Sequence, residues 1–196
     1  MNRRAGLGAL TGCLLLAACV PWTVRPIQQA EAGPFDPARY ADSIWRSKVL
    51  PVVSASAVDL AQLLAVAPPF SKPVLVKGEG KVVRVDETSR SGLLLLDLAP
   101  FDGRPDAALQ IGPVIRGTVL RDALPFIQFS QFVNQLDYAR AGGALNERAL
   151  KSALAGVSAA GLAGAIVGFS GAAEPASGGR PPEIVPLTLT VKRGAL

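Results

Sequence analysis

The residue with the clearest chemistry in this sequence is Cys19, which ends the stretch Leu-Ala-Ala-Cys at 16–19. Arg3 and Arg4 precede a short uncharged run, as in a secretory signal peptide. That run is shorter than the roughly 20 apolar residues that span a bilayer. Small residues before Cys19 favour cleavage there, after which the thiol can carry a diacylglycerol thioether. We predict a lipoprotein signal peptide at 1–18 and lipidation of Cys19; the alternative is an ordinary secretory signal with an incidental cysteine.

The residue types that the sequence lacks exclude other chemistry. It contains no histidine. Of its two cysteines, Cys19 is the predicted lipidation site and Cys13 lies within the predicted signal peptide. The commonest zinc ligands and the commonest general base are therefore missing from the mature chain. We predict no metal site, no cofactor and no catalytic residue, and hence a protein that is not an enzyme.

The net charge argues against a polyanionic partner. The chain has 20 basic and 15 acidic residues, a formal charge of +5, and loss of Arg3 and Arg4 lowers it to +3. After the signal peptide no basic run is longer than Lys192-Arg193. We expect no nucleic-acid partner, because the predicted strands lack interleaved aromatic and basic residues.

Three carboxylates suggest an alternative function. Asp97, Asp102 and Asp106 lie around a predicted hairpin, where paired carboxylates would suit a glycan hydrolase of the envelope. Their spacing is not that of a calcium loop. The hydrolase is therefore the alternative to a binding protein.

The densest motif runs from Gln110 to Thr118, with polar groups at both ends of an apolar strand. It predicts either a ligand-binding surface or a structural corner in which Gly112-Pro113 kinks a strand and Thr118 caps a helix. In the second reading, Arg116 pairs with a carboxylate such as Asp122.

Further polar side chains follow this motif. Together with aromatic residues they could form a binding site where helices meet strands, although aromatics at this spacing also fill helix cores. The candidate binding residues are Gln110, Arg116, Arg121, Asp122, Gln128 and Asn134, and the candidate aromatic platform is Phe126, Phe129, Phe132 and Tyr138.

The N-terminal part of the sequence predicts a tether followed by helices. Residues 19–35 are rich in proline and polar residues and predict a flexible segment, with a single domain at 36–196. Asp36-Pro37 predicts a helix start, and we expect that helix to end before Pro51. Ser56 and Asp59 resemble the capping box of a second helix.

The remaining chain predicts five strands. One long strand from Val74 to Val85 is bent at two glycines, and strands around 93–96 and 109–115 complete a meander. Helices are expected from Val119 to Leu154, broken at Pro125 and at Gly142-Gly143 and restarted by Asn146 as a cap. The last strands are 164–169 and 185–191, with Pro186 at a sheet edge and a mobile loop at 171–183. A membrane span at 152–173 is the less favoured alternative, because few of its residues insert strongly.

This element order predicts a mainly β protein with helices (α+β). We expect an OB-like five-stranded β-barrel with N-terminal helices and a helical insertion between strands 3 and 4.

Several motifs resemble the DUF2291 family of predicted periplasmic lipoproteins: YADSIW and KVLP at 40–51, VKGEGKVV at 76–83, LQIGPVIRGT at 109–118, and LRDAL, FIQF and NQ at 120–135. The resemblance covers about residues 36–192. It implies an OB-like lipoprotein of unassigned function, and a chromosomal setting beside sugar ABC-transporter components. The sequence departs from the family pattern between Leu64 and Pro73, where relatives often carry a longer insertion. No functional residues are established for the family, so none is transferred.

We therefore expect a non-enzymatic, lipid-anchored accessory or binding module on the periplasmic side of a bacterial membrane. Its expected partners are the membrane, through lipid on Cys19, and sugar ABC-transporter components or a glycan. Val20 is not an aspartate-type retention signal for the inner membrane, so the outer membrane is favoured.

Overall fold

The computed structural model of the chain describes residues 34–66, 70–158 and 161–192. The predicted signal peptide, the lipidation site and most of the tether lie outside these residues. Within the part described, no helix is long and apolar enough to cross a membrane.

The helices and strands alternate in a mixed order. The strands are β1 (Val58–Asp59), β2 (Val74–Asp86), β3 (Leu93–Leu98), β4 (Ala107–Gln110), β5 (Ile166–Ala173) and β6 (Glu183–Lys192). The helices are α1 (Pro37–Ile44), a π-helix (Trp45–Val49), α2 (Leu50–Ser56), α3 (Leu60–Ala65), α4 (Val119–Ala123), a 3₁₀ helix (Phe129–Gln131) and α5 (Gln135–Ala153).

Five of the strands close into a barrel. β2 pairs antiparallel with β3 through residues 80–86 and with β5 through residues 74–81, so one strand belongs to both ends of the sheet. β3 pairs with β4, β4 pairs in parallel with β6, and β6 pairs with β5. The long bent first strand, the meander and the helical insertion after the third strand are confirmed. The two-residue β1 adds a short parallel pairing to β2.

A bulge in β6 corrects the prediction that Pro186 lies at an edge. β6 lies between β4 and β5, but its register shifts so that Ser170 faces Thr188 and Gly171 faces Pro186. Leu187 is left without a partner on β5, which is the mark of a β-bulge. Proline is tolerated here because the bulge interrupts the regular ladder.

The helix before Pro51 does not end where predicted. The chain passes from α1 through the π-helix into α2, where Pro51 occupies the first turn. The amide of Leu50 bonds the carbonyl of Trp45 across a wider turn. Proline is allowed in a first turn because it has no amide to leave unbonded. The predicted start at Asp36 is confirmed, since its carboxylate accepts from the amide of Arg39 at 3.0 Å.

Other local predictions were wrong. Ser56 ends α2, and Asp59 itself caps α3 by accepting from the amide of Gln62. α5 continues through Gly142-Gly143, so Asn146 is a buried residue in mid-helix, not a cap. The third strand stops at Gln110, and β5 reaches Ala173, which shortens the loop before β6 to 174–182.

Two hydrophobic cores lie on opposite sides of the β5–β6 ladder. The first fills the barrel and includes Val76, Leu96, Leu109, Phe169 and Ile184. The second lies between the barrel wall and the helices and includes Trp45, Leu120, Leu145, Val185 and Leu187. Val185 and Leu187 face the helices by regular alternation, and the bulge then changes the phase, so that Leu189 enters the barrel core and Thr188 and Thr190 are exposed.

We predict that Gly171→Ala destabilises the fold by at least about 2 kcal/mol, because a Cβ at this position would lie 2.3 Å from the carbonyl oxygen of Val185. Gly143→Ala is the control. Its Cβ meets nothing within 4 Å, and the better helix propensity should stabilise by about 0.5–1 kcal/mol. Denaturant unfolding of both variants measures the difference. Equal stability of the two variants would contradict the assigned bulge.

Candidate functional site

Gln110 and Arg116 lie together at one end of the barrel, around Glu183. The buried side chain of Gln110 donates to Glu183 Oε2 at 3.2 Å and accepts from the backbone amide of Arg116 at 2.8 Å. The guanidinium of Arg116 lies 3.3 Å from Glu183, and that of Arg180 lies 3.6 Å away. Arg116 thus pairs with Glu183 and not with Asp122, which is a correction. A cavity of about 170 Å³ adjoins this cluster, lined also by Glu174 and Ser177.

The segment 112–117 is pinned at both ends. At its start, the amide of Gly112 donates to the carbonyl of Ser91 at 2.6 Å, and a Cβ on Gly112 would lie 2.4 Å from Arg90 O. At its end, Gly117 adopts a positive φ of 75° and its carbonyl accepts from Asn146 at 2.8 Å. These contacts support the structural-corner interpretation of the motif. The corner is nevertheless one wall of a pocket.

That pocket lies between the segment 113–118 and α5. Its volume is about 300 Å³. The corner contributes Pro113, Val114, Ile115, Gly117 and Thr118, and the helix contributes Ala139, Gly143, Asn146, Glu147 and Leu150. Gly143 has no side chain, and nothing lies within 4 Å of where its Cβ would be. The pocket is therefore open on the helix side.

Asn146 lines this pocket and carries a buried acceptor without a partner. The residue is 3 % exposed, and its amide nitrogen donates to Gly117 O, which fixes the orientation of the side chain. Its Oδ1 is buried and has no hydrogen-bond partner within the described protein. A buried acceptor without a partner costs about 1–3 kcal/mol.

Arg121 and Asp122 form a separate group on α4. Arg121 bonds Asp122 at 2.7 Å, its guanidinium stacks 3.7 Å from the ring centroid of Tyr138, and it donates to the Tyr138 carbonyl. Asp122 also accepts from the hydroxyl of Thr118 at 2.7 Å. Thr118 stands at the N-cap position without a side-chain capping bond. This group ties α4 to α5.

Gln128 and Asn134 occupy helix starts. The backbone amide of Gln128 donates to the side-chain oxygen of Gln131 in the 3₁₀ helix. Asn134 caps α5 by accepting from the amide of Asp137 at 2.8 Å. The six candidate residues thus divide into a cluster at Glu183, a pair on α4 and two caps, and do not form one polar site.

Three of the four predicted platform aromatics belong to a larger ring cluster. The ring centroids of Phe132 and Tyr138 lie 5.3 Å apart. Phe132 also packs on Tyr40, and Tyr138 also packs on Phe129. Phe126 instead lies under Lys48 at 5.9 Å. Burial, and then the charge of Tyr138, raise the pKa of Tyr40 above its usual value.

The three aspartates of the hydrolase alternative bind backbone amides. Asp97 is 2 % exposed and accepts from the amides of Asp102 and Gly103. Asp106 accepts from the amide of Leu98, and Asp102 from that of Arg104. In the described ranges no group of three or more His, Cys, Asp or Glu side chains could hold a metal ion. The carboxylates shape the β3–β4 turn.

The sequence interpretation missed Asn146 and Glu183 as site residues. Asn146 falls at helical spacing with Gly142, Ala149 and Ala153 on the buried side of α5, so a signal existed once the helix continued through its glycines. Glu183 lies 67 residues from Arg116, and no local pattern predicts the pairing of β4 with β6 that joins them.

Comparison with known proteins identifies both the fold and the family. A crystal structure of an OB-fold protein from Thermotoga maritima matches with a TM-score of 0.64 and 19 % identity, over 82 % of this chain and 100 % of that chain. This similarity shows the fold, and it confirms the predicted OB-like barrel. No curated protein matches significantly.

The family model of DUF2291, described as a predicted periplasmic lipoprotein, matches residues 9–69 and 70–190. The match includes Cys19, and its two segments meet at residues 69 and 70. Since nearly the whole chain is matched, this protein belongs to the DUF2291 family of predicted periplasmic lipoproteins.

Proposed function

We propose that the protein is a lipid-anchored binding module of the bacterial envelope whose ligand enters the pocket between the segment 113–118 and α5. The observation that carries this proposal is the open pocket itself, whose lining includes Gly143, beside which there is open space, and Asn146, whose buried Oδ1 has no partner among the described residues. The module acts as an accessory to envelope transport, with a glycan or a sugar ABC-transporter component as its partner. We expect the lipoprotein to be delivered to the outer membrane.

The pocket chemistry selects a ligand that donates hydrogen bonds. Asn146 Oδ1 and the exposed carboxylate of Glu147 are both acceptors, while Pro113, Val114 and Leu150 supply apolar contact. A sugar ring has hydroxyl donors and an apolar face. A serine or threonine side chain of a partner protein, together with apolar neighbours, offers the same combination. The volume of about 300 Å³ is at the lower end of ligand pockets, so one ring or one side chain fills it.

The pocket is preorganised, which favours binding. The hydrogen bonds from Gln110 and Arg116 hold the corner on β6, and Asn146 holds it on α5. A wall that is already ordered loses little conformational entropy when a ligand binds.

The pocket is tested with Gly143→Leu, which places a side chain in the open space without removing a contact. Wild type should gain thermal stability from at least one of a set of pentoses, hexoses and disaccharides, and native protein should co-purify with a transporter component from solubilised envelopes. Gly143→Leu should weaken either interaction at least about tenfold, a loss of about 1.4 kcal/mol. Gly143→Ala is the matched control. If Gly143→Leu binds as well as Gly143→Ala does, the pocket is not the site.

Lipid attachment is tested with the two cysteines. Cys19→Ser should abolish both the incorporation of a palmitate analogue and the partitioning of the protein into the detergent phase, because the acylated thiol is lost. Cys13→Ser, which changes the predicted signal peptide only, should leave both unchanged. Mass spectrometry of the N-terminal peptide locates the lipid. Equal labelling of both variants would contradict an anchor at Cys19.

The module is expected to hydrolyse no glycan. Asp97→Asn should lower the free energy of unfolding by about 1–2 kcal/mol, because the carboxylate accepts from two backbone amides. Neither wild type nor variant should release reducing sugar from cell-wall glycan. Release by wild type that is lost in Asp97→Asn or Asp102→Asn would instead establish a hydrolase.

A further inference from the structure

Three large apolar side chains are exposed within eight consecutive residues. Phe129 is 53 %, Val133 79 % and Leu136 58 % exposed, and they span the 3₁₀ helix and the first turn of α5. We call this surface the 129–136 face. Single exposed apolar residues are common, but three within eight residues, between exposed polar ones, make this segment a candidate interaction surface.

Packed aromatic rings support the 129–136 face from below. Phe132 lies between Phe35, Tyr40 and Tyr138, with ring centroids 5.3–5.6 Å apart, and Phe129 lies 5.6 Å from Tyr138. The backbone that carries the exposed side chains is therefore fixed on a rigid base.

The N-terminal segment enters the fold at this place. Phe35, near the first described residue, packs against Phe132 at 5.6 Å. Only 15 residues separate Phe35 from Cys19, and such a length reaches at most about 55 Å when fully extended. A lipid on Cys19 would keep the 129–136 face within that distance of the bilayer.

The charges around the face also suit a membrane surface. Arg39, Arg46 and Lys48 are exposed on α1 and the π-helix. Of the acids on the same elements and on α5, Asp36 caps α1, Asp42 pairs with Arg148, and Asp137 pairs with Arg140 and so offsets its charge. These cations lie on the helices that begin at Pro37, and Tyr40 of α1 packs on Phe132, so they favour contact with anionic headgroups beside the face.

We propose that the 129–136 face docks on the bilayer that holds the Cys19 lipid, with Phe129, Val133 and Leu136 entering the boundary between headgroups and acyl chains. The lipid anchor of the proposed function brings the face to the membrane, whereas docking itself needs no acyl chain. The two can therefore be tested separately.

The test uses the mature chain, residues 19–196, with Cys19→Ser and no lipid. It should sediment with vesicles of phosphatidylethanolamine and phosphatidylglycerol. Phe129→Ser, Val133→Ser and Leu136→Ser combined should lower the bound fraction at least about tenfold, since each side chain loses apolar burial. The matched control combines Val83→Ser, Ile166→Ser and Val191→Ser, which change exposed apolar residues of the barrel strands and should leave binding unchanged.

A fluorescent label gives a second measurement, because the Cys19→Ser chain has no other cysteine after residue 18. A dye on Ser130→Cys should shift to the blue with vesicles, and a dye on Glu87→Cys in the β2–β3 turn should not. Absence of binding, or equal losses in both triple variants, would overturn the proposal. A change in the oligomeric state of the free protein in the face variant would assign the surface to a second copy of the chain and would also overturn it.

The outcomes separate the two proposals. Vesicle binding by the Cys19→Ser chain supports the 129–136 face even if native protein proves to carry no lipid. If native protein is acylated but the Cys19→Ser chain does not bind vesicles, the lipid anchor is supported and docking by the 129–136 face is contradicted.

Discussion

The structure depends on the burial of both faces of one stretch of the β5–β6 ladder. Ala173 and Ile184 face the barrel interior, while Ala172, Val185 and Leu187 face the helices. An OB barrel alone has a solvated outer surface here, and burial of this surface joins the helical layer to the barrel. The bulge at Leu187 sets where that layer ends, since beyond it the outer face carries Ser170, Thr188 and Thr190, with the first two hydroxyls hydrogen-bonded to each other. Gly171 permits the close approach of β6 that the bulge requires.

The pocket is a consequence of this arrangement. α5 is held against β6 by Leu145 and Ala149, and it is held against α1 by an ion pair between Arg148 and Asp42 at 2.8 Å and by Arg148 over the ring of Trp45. Its position therefore does not depend on the corner at 113–118. The corner is fixed from the other side, by β4 and β6 through Gln110 and Glu183. A space is left where these two walls meet, and Asn146 bridges it with one hydrogen bond to Gly117 O, while its Oδ1 has no partner among the described residues.

Local signals in the sequence predicted the parts of the fold that depend on near neighbours. The cap at Asp36, the bent first strand and the helical insertion followed from residue types and periodicity. What failed depended on tertiary contacts. Pro51 was expected to end a helix, but a π-turn before it accommodates the ring. Gly142-Gly143 was expected to break α5, but Gly142 lets Thr118 approach, since a Cβ there would lie 3.1 Å from its methyl group. The error at the glycines hid Asn146 on a buried helix face, and the partner of Arg116 was invisible because it belongs to a distant strand.

α5 also relates the two proposed surfaces. Leu136 lies in its first turn, and the pocket residues Gly143 and Glu147 follow by seven and eleven positions. At 1.5 Å per residue, these two residues lie about 10–16 Å further along the same helix, and the pocket lining on α5 as a whole, from Ala139 to Leu150, lies about 5–21 Å further along it. A rigid helix with one end docked on a bilayer would hold the pocket at a fixed height above the headgroups, within reach of the parts of a membrane protein that project only slightly from the surface. A module positioned in this way would meet its partner at a membrane, where an untethered protein would have to find the same partner by diffusion through the periplasm.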